Sequence, residues 1–140
     1  MLLAVLGKIE PDLSSRDVFV NVAGGISVRE TGIDLPLALA LHSSFLGKPI
    51  HASVAAFGEI GLAGEIRSVE FPEARLEEIA SMGFSTVLVP AKAGKMQVKR
   101  ASRRKVVQIV PVATLEEALA TVQETARRPR LPRASRRLKR

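Results

Sequence analysis

The sequence predicts an α+β domain, and three observations predict it. Val18, Val20 and Val22 alternate with Phe19 and Asn21 in a strand pattern. Residues 34–45 and 72–82 carry apolar side chains at helical spacing. TVLVP (86–90) and VVQIV (106–110) read as short buried strands. Helical and strand patterns intermix without strict alternation, and no internal repeat is visible. At 140 residues the chain is long enough for one ordinary core and too short for two sizeable ones.

The first valine run is expected to end at a tight turn, Gly24-Gly25, with Ile26 to Val28 restarting it as a second strand. DLPLALALHSSF (34–45) is apolar on nearly every face, with Leu37, Ala40, Leu41, Ser44 and Phe45 at helical spacing, so a central buried helix is predicted. Proline lacks an N–H and is harmless only in a first turn, so Pro36 places Asp34 as the N-cap. VAAFGEI (54–60) and EIRSV (65–69), separated by GLAG, read as a hairpin. Pro72 opens a second helix with Ala74, Leu76, Ile79, Ala80 and Met82 on its apolar side and Glu73, Glu77 and Glu78 on its wet side; Gly83 stops it. Thr114 and Glu117 form a capping-box pattern for a last helix from Leu115 to about Thr125.

Composition excludes several chemistries. There is no cysteine, which removes disulfides, thiolate catalysis and cysteine-based zinc sites. Without Trp or Tyr, base stacking on an aromatic platform is not expected. The apolar run at the N-terminus is too short for a membrane span and lacks the basic flank of a signal peptide, so a cytoplasmic location is expected. The net charge of +7 is unevenly spread: residues 1–91 hold 6 basic and 11 acidic side chains, 92–105 hold 7 basic and none acidic, and 127–140 hold 8 basic and none acidic. A mildly acidic body thus carries a basic loop and a basic tail.

Three stretches in order, DVFVNVAGGISVRETGIDLPLALALHSS, FGEIGLAGEIRSV, and a helix ending in GF followed by TVLVPA, resemble the Lon-type proteolytic fold. That fold is shared in outline with the magnesium-chelatase-like ATPases and the second domain of ribosomal protein S5. The wording of DVFVNVAGG, ALHSSFLGKP and FGEIGLAGEIR is most similar to the C-terminal Lon-protease-like domain of the bacterial RadA/Sms DNA repair family, from about Leu2 to Val122. The resemblance implies an inactive Lon-like domain over 1–126; the basic tail over 127–140 extends beyond it, and its two prolines, eight charges and few apolar residues predict disorder when free. The resemblance also implies a zinc finger and a RecA-like ATPase upstream. Neither is in this sequence, and no stretch reads as a phosphate-binding loop, so no cofactor is expected here; ATP, Mg and Zn belong to the implied upstream domains. The chain is expected to be a fragment or a separated domain.

A Lon-type peptidase needs a serine nucleophile at the start of the buried helix and a lysine base on the following one. The resemblance puts Asp34 and Arg75 at those positions. An aspartate cannot form the ordinary acyl-enzyme, and arginine, with a pKa above about 12, cannot act as a base. No catalytic residue is therefore assigned. Asp34 is expected to cap the helix, and an ion pair between Asp34 and Arg75, compatible with that cap, is the sharper reading. Ser43 and Ser44 read as small packing residues, and His42 as a core or interface histidine, because His51 is its only companion. Glu59 reads as a turn or interface residue, and Glu59 with Glu65 is kept as an acid/base alternative.

Lys92, Lys95, Lys99, Arg100, Arg103, Arg104 and Lys105 are expected on one exposed loop, with Arg127, Arg128, Arg130, Arg133, Arg136 and Arg137 on the tail. Phosphates are the natural partner of both. The expected function is a non-catalytic scaffold and DNA-binding domain without sequence preference, in a repair ATPase whose family implies a ring, usually a hexamer, and no membrane. The alternatives are a Lon-type serine peptidase with a displaced nucleophile, and an RNA-binding module of ribosomal-protein type.

Overall fold

The structure, a computed structural model, describes residues 1–21, 29–93 and 107–127, and the side chains through 125. It is α+β. The first element is one the sequence reading did not contain, helix α1 (Leu2–Ile9). Val5 and Leu6 are buried, and Leu2 and Ile9 pack beside them, a spacing of one helical stripe. Pro11 opens a 3₁₀ turn, Pro11–Ser15, where the helix stops. The expected strand at 18–22 is not formed in its described part, 18–21. Val18 packs on the core, but Phe19 is 91% and Val20 52% exposed, and no described segment offers them a hydrogen-bonding neighbour. Gly24, Gly25 and the second strand expected at Ile26 to Val28 lie outside the described residues.

The central helix α2 (Asp34–Leu46) is present where expected, rotated from its expected phase. Leu35, Ala38, Leu39 and His42 are its buried face, while Ala40 and Ser44 are exposed. A helix apolar on most sides has almost no net direction of hydrophobicity, so its buried face is set by neighbours. It ends at Gly47, whose φ of 63° is the left-handed cap that glycine adopts without a Cβ penalty.

VAAFGEI divides into two strands belonging to different sheets. β1 (Val54–Ala56) pairs in parallel with β4 (Thr86–Pro90), which pairs in parallel with β5 (Gln108–Val112). The sheet order is β1-β4-β5. β2 (Glu59–Ile60) and β3 (Ile66–Arg67) form the antiparallel hairpin. The division falls at Gly58, where a Cβ would lie 2.8 Å from Ile66 Cγ2. α3 (Pro72–Ser81) buries only Leu76 fully; Ala74 and Met82, expected on its apolar side, are exposed. Beyond it, Gly83 has a φ of 87°, as a helix stop requires. β5 begins two residues later than the VVQIV pattern suggested.

α4 (Leu115–Arg127) starts as its capping box predicts. Thr114 Oγ1 accepts from the Glu117 N–H at 3.3 Å, and Glu117 Oε2 accepts from the Ala113 N–H at 2.7 Å. The main core gathers Val5, Leu6, Leu35, Leu39, Leu88, Leu115 and Leu119 from all layers, and a second cluster around Phe57, Leu76, Val87 and Val89 lies under α3. Among the described residues no helix is long and apolar enough to cross a membrane.

Replacing Thr114 by Ala is expected to lower stability by about 1 kcal/mol, with an unchanged denaturant m-value in urea melts. Thr114→Ala and Glu117→Ala together should lose less than the sum of the two, because they serve one cap.

Candidate functional site

The two dyad positions that the resemblance singles out lie apart: Asp34 starts α2, beside β2 of the hairpin, and Arg75 is in the first turn of α3. Asp34 is the first residue of α2, preceded by the 3₁₀ turn Thr31–Ile33, and is not its N-cap. Its Oδ2 accepts from the Ile60 N–H at 3.2 Å. The next N–H, of Leu35, donates to the Gly58 carbonyl at 3.0 Å, and the Gly58 N–H to the Gly32 carbonyl at 3.0 Å. A carboxylate in the first turn also meets the positive end of the helix dipole. Asp34 thus stitches a helix start to a strand.

Arg75 does not pair with Asp34. Its guanidinium forms an ion pair with Glu30, and Nε donates to the Glu70 carbonyl at 2.8 Å. A Cβ on Gly32 would lie 2.6 Å from Glu30 Oε1 and 3.5 Å from Arg75 Nη1, so the glycine leaves room for this pair. Arg75 therefore clamps the segment before α2 to the segment before α3. The expected ion pair fails because Glu30 and the Glu70 carbonyl satisfy the fork from outside, while Asp34 is turned to a backbone amide.

Other candidates resolve into local bonds. His42, 3% exposed, meets Glu10 through Nε2···Oε1 at 3.1 Å, tying α2 to the end of α1. Glu10 as its partner was illegible without α1. Ser43 Oγ donates to the Lys48 carbonyl at 2.6 Å, and Ser44 is exposed, not packed. Before β1 and β4, Ser85 Oγ donates to Ser53 Oγ at 2.9 Å, and the Ser53 hydroxyl lies 2.8 Å from His51 Nδ1. The sequence signal for that contact is the His-x-Ser spacing at the strand entrance.

Glu59 and Glu65 converge on one cation. Arg67 Nη1 lies 3.5 Å from Glu59 Oε1, and Nε donates to Glu65 Oε1 at 3.0 Å. Glu65 is held below the usual carboxylate range, first by a hydrogen bond from its own backbone amide and then by the Arg67 guanidinium. A general acid needs the opposite shift, so the arrangement does not fit an acid/base pair. Among the described residues no cluster of His, Asp and Glu suits a metal ion.

Of the basic residues, Lys92 is described, exposed in the 3₁₀ turn Ala91–Ala93 that leaves β4. Lys95, Lys99, Arg100, Arg103, Arg104 and Lys105 lie outside the described residues, as do Arg128, Arg130, Arg133, Arg136 and Arg137. Arg127 closes the backbone of α4.

The family described as subunit ChlI of Mg-chelatase matches residues 2–93. Curated relatives named DNA repair protein RadA match more of the chain. The protein from Haemophilus influenzae is 42% identical over 125 residues, covering 87% of this chain and 26% of the relative. The Aquifex aeolicus protein is 41% identical over 121 residues, covering 85% and 26%, and the Salmonella typhimurium protein 48% identical over 94 residues, covering 65% and 20%. The chain thus spans about a quarter of the length of these relatives.

Double-mutant cycles should give a coupling of about 0.5 kcal/mol between Glu30→Gln and Arg75→Met and a smaller one between Asp34→Asn and Arg75→Met, read from urea melts. In an NMR titration the Glu65 carboxylate should titrate below an ordinary glutamate and move up in Arg67→Met. Because its folded pKa is the lower one, its contribution is present above the unfolded value and is lost as pH falls through the folded value.

Proposed function

The chain belongs to the ChlI family of Mg-chelatase subunits and is homologous to one region of the DNA repair protein RadA, and on that premise we propose that it is a non-catalytic, Lon-like scaffold and DNA-binding domain of a RadA/Sms-type repair and recombination ATPase. The observation that carries the reading is the chemistry at the two dyad positions. Asp34 is spent on the Ile60 amide and Arg75 on Glu30 and the Glu70 carbonyl. Neither is a nucleophile–base pair, and both now hold backbone segments together, which is what a scaffold needs.

Charge supports the DNA-binding half of the reading. The acidic body repels phosphate, so contact falls to the basic segments at 92–105 and 127–140. Exposed Phe19, Val20, Phe71 and Met82 support the scaffold half, because apolar side chains of that size are the raw material of subunit interfaces. The ring, its DNA and a cytoplasmic location belong to the proposal. The chain spans only about a quarter of the relatives' length, so an activity of the whole-length protein also belongs to the proposal.

One observation favours the displaced-nucleophile peptidase, the 2.8 Å contact between the Ser53 hydroxyl and His51 Nδ1. Against it, the same nitrogen lies 3.3 Å from the Ser53 backbone N–H, a local turn geometry, and no described carboxylate orients the ring. Stoichiometric labelling of Ser53 by a fluorophosphonate on the folded protein would favour the peptidase.

Anisotropy with labelled single-stranded and duplex DNA across a salt series tests the main reading, using the intact chain and a version ending at Ala126. Binding should weaken steeply with salt, with a log–log slope of roughly −0.7 to −0.9 per phosphate neutralised, and the truncated chain should show a shallower slope. Absence of binding at low salt sinks the DNA-binding half. Stronger binding to structured RNA than to either DNA would turn the reading to the RNA module.

A further inference from the structure

Between α2 and α4 the surface opens into a cavity of about 330 Å³, at the small end of the range that ligand pockets occupy. Leu39, Leu46, Ile50 and Val122 make its apolar walls. Its polar lining is the buried His42, Ser43, whose hydroxyl is taken by the Lys48 carbonyl, the half-buried Gln123 and the exposed Lys48, the one charged group among them. An apolar chamber with few convergent polar groups is the usual form of a small-molecule site.

The polar groups define what head group fits. Among the described residues, Lys48 forms no ion pair, and His42 Nδ1 has no hydrogen-bond partner, its Nε2 being held by Glu10. The end of α2 would ordinarily disfavour an anion, since a helix C-terminus carries exposed carbonyls. Here two of them are already satisfied: the Gly47 N–H donates to Ser44 and the Lys48 N–H to Ser43, at 3.2 and 3.1 Å. A cationic head would instead meet the Lys48 ammonium, and a head without charge would leave it unmatched.

We propose that this cavity binds an anionic amphiphile, a straight-chain carboxylate whose tail lies among Leu39, Leu46, Ile50 and Val122 and whose head meets Lys48. The lining includes neither Asp34 nor Arg75, and the proposal stands whether or not the chain binds DNA. Because His42 both borders the cavity and ties α2 to Glu10, occupancy would be felt at the α1–α2 contact.

The test titrates the intact chain with decanoate, decanol and decylammonium below their micellar concentrations, read by methyl NMR. Decanoate should bind saturably, with shifts concentrated on Leu39, Leu46, Ile50 and Val122, and about tenfold more tightly than decanol, the order of one charge-assisted contact. Lys48→Met, an exposed substitution that leaves the core intact, should abolish the preference for decanoate and leave decanol binding unchanged. Ile50→Phe should weaken all three by filling the chamber. No saturable decanoate binding, equal binding of decanol, tighter binding of decylammonium, or a preference that survives Lys48→Met would each overturn the proposal.

Discussion

The fold depends on one close main-chain contact, at Gly58. Its N–H reaches the Gly32 carbonyl and its own carbonyl takes the Leu35 N–H, so strand and helix meet backbone to backbone. Only a residue without a side chain allows this. A Cβ at that point would be 2.8 Å from Ile66 and 3.5 Å from both Leu35 and Pro90, inside the packing limit of a close-packed core. The contact breaks the VAAFGEI run in two, sending β1 into the parallel sheet and β2 into the hairpin. It also feeds α2 into the core by its buried Leu35. Asp34 then has one donor left within reach, the Ile60 amide, and takes it.

The same constraint gives Asp34 a structural role. A serine there would be free to present its hydroxyl, but a carboxylate at a helix start is held by amides that the helix and strand leave unpaired. Arg75 follows a parallel logic. With its Nε on the Glu70 carbonyl, its remaining donors point toward the Gly32 turn, and Glu30 supplies the charge. The two residues therefore face different partners and do not pair with each other.

Much of this was legible in the sequence and some was not, for identifiable reasons. The 86–90 strand, the α3 start at Pro72 and the capping box at Thr114 were readable because each is set by local chemistry: β-branched runs, a fixed φ, or a side chain that reaches its own turn. The phase of α2 was not readable, since leucine and alanine on most sides leave neighbours to choose the buried face. Helix α1 was missed because its LLAVLGKI run was weighed only as a targeting segment, although Leu2, Val5, Leu6 and Ile9 carry the stripe. Its absence from the reading hid Glu10, and so the partner of His42. Glu30 was hidden for another reason, since a partner 45 positions from Arg75 along the chain leaves no local mark.

Charge gives the last step. In the described body, acidic side chains outnumber basic ones, and Arg67 and Arg75 are both committed to carboxylates. A polyanion therefore finds few unpaired cations there, and the image of its charge in the acidic surface is repulsive at distances within a Debye length, about 8–10 Å at physiological salt. Fifteen basic residues are concentrated in two segments of the sequence, so a phosphate backbone would be attracted to those segments and repelled by the acidic body. The proposed scaffold and DNA-binding roles would then draw on different parts of the sequence. On the proposed reading, contact through the segments would add counterion release to the binding free energy.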